Sequence, residues 1–153
     1  MLTALKESLI DMVIFKYDWE EDHYPEWYES FFIHHEIEGK IEDDGFDNVI
    51  IESGKDIFTL SDNQTVILRN RQGSLIILDR AMFEKTYVQI DEFKAALREE
   101  CVRVNVVRGM FEIENYAGSL RKLSDSVFLK HFQFPHYWKG LINHDGSYQR
   151  KGY

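Results

Sequence analysis

The stretch DIFTLSDNQTVILRNRQGSLIILDRAMFEKTY, residues 56–87, decides the fold class. Ile57-Phe58-Thr59-Leu60, Thr65-Val66-Ile67-Leu68 and Leu75-Ile76-Ile77-Leu78 are four-residue runs of strand formers. Each is too short to be a helix, and polar clusters separate them. Asn70-Arg71-Gln72-Gly73 between the last two has the residues a tight hairpin demands. Ala81 to Tyr87 then reads as a short helical turn.

Upstream, Val49-Ile50-Ile51 is a further strand, and Met12 to Tyr17 is rich in strand formers. Leu2, Leu5 and Leu9 have a short helical spacing. Pro25 followed by Glu26 and Glu29 suits the start of a helix, which runs to about Ile37 and ends at Gly39. Its broad apolar face holds Trp27, Tyr28, Phe31, Phe32 and His35. Downstream, Asp91 is positioned to cap a helix to about Glu100. Val102 to Val107 and Phe111 to Ile113 read as strands around Gly109, and Ser119 or Ser124 caps a last helix to about Phe132. The expected fold is α+β: a small twisted antiparallel β-sheet with helices packed on one face. It forms a single compact domain over residues 1–118, with residues 119–153 as a C-terminal helix and basic aromatic tail. No repeat is apparent at a period of twenty to fifty residues, and no linker divides the chain.

Composition narrows the classes. At 44% hydrophobic and 14% aromatic over 153 residues, the chain has material for a core, which excludes disorder. The longest apolar runs are four residues, too short for a membrane span or a signal-peptide core. The single cysteine, Cys101, excludes a disulfide framework and a multi-cysteine zinc site. A soluble protein of a reducing, cytoplasmic compartment is the expectation.

Charge is unevenly placed. Between Asp18 and Asp47 stand twelve acids and one base, Lys40, a local −11 within a net −9. From Ser119 onward six bases face only Asp125 and Asp145. The acidic half repels phosphates, which argues against direct nucleic-acid binding, and it suits a basic groove on another protein.

Motifs for chemistry are sparse. Neither a phosphate-binding glycine loop nor a Gly-x-Ser-x-Gly elbow occurs. Cys101 follows Glu100, whose charge raises a thiol pKa and so disfavours a nucleophile. Adjacent His34 and His35 point about 100° apart on a helix and do not chelate together. Asp43, Asp44 and Asp47 around Gly45 lack the register of a calcium loop. His131, His136, His144 and Asp145 are irregularly spaced. No catalytic pair, metal site or cofactor is therefore assigned, and a non-enzymatic role is expected.

The quoted stretch resembles the small phage and prophage domain family called PGDYG. The resemblance covers residues 12–88 and includes VIFKYDW with Pro25-Glu26-Trp27, the hairpin glycine Gly73 and the ending Phe83-Glu84-Lys85-Thr86-Tyr87. Where the family has its Pro-Gly-Asp-Tyr turn, this chain has Leu60-Ser61-Asp62-Asn63-Gln64-Thr65-Val66 and keeps only an Asp. The resemblance implies a phage origin and a small β-rich fold, and it supplies no catalytic residues.

The leading expectation is an accessory protein that binds and blocks a host protein of basic surface, as an inhibitor or anti-defence factor. Its acidic-aromatic face would comprise Trp19, Glu20, Glu21, Asp22, Tyr24 and Trp27, since aromatic anchors ringed by charge compose binding hot spots. A second expectation is a nucleotide or small-molecule sequestering site built from Arg69, Arg71, Arg103, Arg121, Lys122, Tyr137 and Trp138. A third is a virion or assembly component whose tail docks on a second copy, making a homo-oligomer.

Overall fold

The computed structural model describes residues 2–18 and 23–134. In chain order the elements are β1 (Leu2–Leu5), a 3-10 turn (Lys6–Ser8), β2 (Ile10–Ile14), α1 (Glu26–Ile37), β3 (Ile41–Asp43), β4 (Asn48–Ser53), β5 (Asp56–Ser61), β6 (Thr65–Arg69) and β7 (Leu75–Asp79). There follow α2 (Arg80–Thr86), β8 (Tyr87–Asp91), β9 (Lys94–Leu97), a second 3-10 turn (Arg98–Glu100), β10 (Cys101–Val107), β11 (Met110–Glu114), β12 (Leu120–Ser124), α3 (Asp125–His131) and β13 (Phe132–Gln133).

This is a mostly-β fold, 48% strand and 25% helix over the described residues, which corrects the α+β expectation of a sheet with helices on one face. Two expected helices are not there. Leu2–Leu5 is a strand, and the segment beginning at Asp91 is a hairpin followed by a 3-10 turn. Asp91 does accept a hydrogen bond from the Phe93 amide, at 3.0 Å, but it closes the β8–β9 turn rather than starting a helix. Ala95 and Ala96 favour helix intrinsically, yet both are fully buried in β9, where burial outweighs propensity.

The chain divides into two compact units, Met1–Ile10 with Thr86–Tyr153, and Asp11–Lys85. In the first, β12-β11-β10-β1-β13 form an antiparallel sheet, and β8 and β9 form a hairpin. Phe111, Phe128, Phe132 and Phe134 stack in its core, with Phe128 centred 4.3 Å from Phe111 and 4.9 Å from Phe132. Ala4, Ile90, Ala96 and Cys101 make a smaller core of their own. In the second unit, β2, β6 and β7 pair antiparallel, as do β3, β4 and β5. Met12, Phe15, Tyr28, Ile51, Leu60, Ile67 and Leu68 are buried there.

The absence of a repeat is also corrected, because one strand plan occurs twice. Asn70-x-x-Gly73-Ser74-Leu75-x-x-Leu78 has its counterpart in Asn115-x-x-Gly118-Ser119-Leu120-x-x-Leu123, and Phe83 and Lys85 in Phe128 and Lys130. Their geometry agrees. The Asn70 and Asn115 carboxamides each accept from the serine amide four residues on, both at 2.9 Å. Gly73 and Gly118 sit at φ 84° and 89°, a conformation for which glycine is the least strained residue. Register follows: Arg69 pairs with Leu75 and Glu114 with Leu120. Earlier in the chain, Ala4-Leu5-Lys6-Glu7 corresponds to Ala96-Leu97-Arg98-Glu99, each ending a strand and entering a 3-10 turn. The first block is offset by 92 residues and the second by 45, so residues 16–62 are an insertion in the first copy. Where the second copy turns through Arg108 and Gly109, the first carries α1 and β3–β5.

Candidate protein-binding surface

The insertion leaves and rejoins the sheet through a hydrogen-bonded neck. The Asn63 amide donates to the Phe15 carbonyl and the Phe15 amide to the Thr65 carbonyl, both at 2.8 Å. Lys16 Nζ donates to Asn63 Oδ1 at 2.5 Å, and the Tyr17 amide to Asp62 at 2.9 Å. Asn63 takes φ 60°, matching Arg108 at φ 50° in the second copy, and the Arg80 guanidinium holds its carbonyl and side chain. Tyr17 donates its phenol proton to Asp43, and that bond, with the surrounding carboxylates, pushes its pKa up to about 12.

Helix α1 is stopped where the sequence predicts. Gly39 adopts φ 68° and the Lys40 amide donates back to the His35 carbonyl at 2.8 Å. Its inner face buries Tyr28, Phe31 and His35; Phe32 stacks 6.2 Å from Phe15. Burial pushes the Tyr28 phenol far above its ordinary pKa. The outer face leaves Ile33 and Ile37 exposed beside Glu26, Glu29 and Glu36.

The β3–β4 turn is tied together by its own acidic side chains. Asp44 accepts from the amides of Phe46 (2.7 Å) and Asn48 (3.2 Å) and from the Asn48 carboxamide (2.9 Å). Those bonds hold its carboxyl below the usual range, the Phe46 amide contributing most. Asp43 accepts from the Gly45 amide at 2.7 Å. The turn so fixed projects Phe46 into solvent, 83% exposed, among Glu42, Asp43, Asp44 and Asp47.

The structure redistributes the expected site residues. Trp19, Glu20, Glu21 and Asp22 lie outside the described residues, as do Tyr137 and Trp138. Tyr24 rests against Tyr28 at 5.2 Å. Trp27 is half-buried over the Arg69 guanidinium, 5.1 Å from ring centroid to carbon, and Arg69 in turn pairs with Asp11 at 2.8 Å. One residue from each expected set thus meets inside the fold. Arg71 is exposed in the hairpin turn of the first copy. Strand register puts Arg103 and Lys122 on one face of their sheet and Arg121 on the other, so those three do not converge. Phe46 was not expected as an anchor; Asp-Asp-Gly-Phe-Asp, a turn composition with an aromatic at its tip, was the available signal.

Cys101 is 3% exposed, and burial pushes its thiol pKa up. Among the described residues, no group of three His, Cys, Asp or Glu side chains could hold a metal ion, and no helix is long and apolar enough to cross a membrane. Compared with known proteins, the chain matches no family model, no curated sequence and no solved structure. The likeness to the PGDYG domain therefore rests on the quoted residues alone.

Proposed function

We propose that the chain is a protein-binding module whose insertion docks on a basic surface of a partner protein and blocks it. The observation that carries this reading is Phe46, an aromatic held in the open by three hydrogen bonds to Asp44 and ringed by carboxylates. A rigid exposed aromatic loses little conformational freedom on burial, which makes it a good anchor. The carboxylates attract a basic partner and speed encounter. Ile33, Ile37 and Ile57, all more than half exposed on the same insertion, add apolar area.

Affinity capture from bacterial lysate, with the parent chain beside Phe46→Ala and Asp47→Lys, tests the reading. A partner retained by the parent should bind Phe46→Ala at least about tenfold more weakly, a loss of about 1.4 kcal/mol. Its capture should also fade as salt rises. Equal retention by both variants sinks the proposal.

A further inference from the structure

The second copy leaves open a place that the first copy fills. In the first, Asp11 on β2 and Arg69 on β6 are register partners joined by an ion pair, and the Trp27 indole lies on the guanidinium. The equivalent register partners are Arg103 on β10 and Glu114 on β11, the same two charges with the strands exchanged. Among the described residues these two form no ion pair, and no aromatic ring stacks on Arg103. A concavity of about 320 Å³ opens there instead. Leu2 and Cys101 contribute apolar wall, and Asn115 and the 74%-exposed Tyr116 stand at the hairpin end. Arg98 supplies a second cation to the lining and donates to the Tyr87 carbonyl at 3.3 Å, which orients its guanidinium.

We propose that this concavity binds a small planar aromatic acid. Its ring stacks on the Arg103 guanidinium as Trp27 does on Arg69, and its carboxylate meets Arg98. Arg98 and Arg103 put two guanidinium groups beside Glu114 in the lining. The volume falls at the small end of ligand pockets, as a single ring system requires. In the first copy the insertion itself supplies the ring that lies on the guanidinium.

Titration of the isotope-labelled full chain with indole-3-acetate, followed by amide chemical shifts, tests the assignment; indole and acetate are separate arms. Saturable shifts at Leu2, Arg103, Asn115 and Tyr116 are expected, with weaker binding of either fragment. Arg103→Gln should weaken binding about fivefold or more. Glu114→Gln removes the competing carboxylate and should tighten it, a gain that misfolding cannot produce. The proposal is overturned by shifts elsewhere, by their absence up to about 10 mM, a range that includes weak fragment affinities, or by equal affinity in Arg103→Gln. Indole binding as tightly as indole-3-acetate overturns it equally.

Discussion

Asp44 ties down the acidic turn that presents Phe46, and its titration reports whether it does so. Three hydrogen bonds depress its pKa below the ordinary 3.8. A group whose folded-state pKa is depressed contributes stability above its unfolded value and loses it as pH falls through the folded one. The Phe46 and Asn48 amide resonances should therefore hold steady from about pH 7 to about pH 4, and move together only below that. Asp44→Ala should remove this transition and weaken partner capture as Phe46→Ala does, while the rest of the spectrum stays in place. Movement centred at the ordinary carboxyl value would mean that the turn is not restrained by Asp44.

At the scale of elements, the duplication makes each copy a control for the other. Helix α2 begins with the Met82 amide donating to Asp79 at 2.8 Å, and α3 with the Val127 amide donating to Ser124 at 3.4 Å. Each helix buries one phenylalanine, Phe83 or Phe128. Removing either cap, as Asp79→Ala or Ser124→Ala, should cost about 1 kcal/mol of stability by denaturant melting. The shorter Asp79 bond predicts the larger loss. The strands and turns of residues 49–87 were legible because alternation and the Asn-Arg-Gln-Gly turn act locally. The β9 strand was not, since Lys94-Ala95-Ala96-Leu97-Arg98-Glu99-Glu100 has helix-favouring composition and only burial of the two alanines makes it a strand. Phe46 was hidden for a different reason, because its exposure depends on hydrogen bonds that composition does not display.

For the whole molecule, the two offsets of 92 and 45 leave the repeat without a single period. They also define an excision. Phe15 and Asn63 are already joined amide to carbonyl, so deleting residues 16–62 leaves Phe15-Asn63-Gln64-Thr65 where the second copy has Val107-Arg108-Gly109-Met110. Asn63 already holds the positive φ that this turn needs. The loss is the cover that α1 gives: Phe15 loses its partner Phe32, and Arg69 loses Trp27. The shortened chain should therefore be less stable yet keep dispersed amide resonances, with those of residues 94–134 nearly unmoved, because among the described residues the Phe111, Phe128, Phe132 and Phe134 core contains none from the insertion. It should fail to capture the partner that the parent retains, and still bind indole-3-acetate. An unfolded spectrum would show that the insertion is integral to the first copy's core rather than a module carried on it. A folded spectrum with partner capture intact would move the binding surface off the insertion and onto the repeated strands.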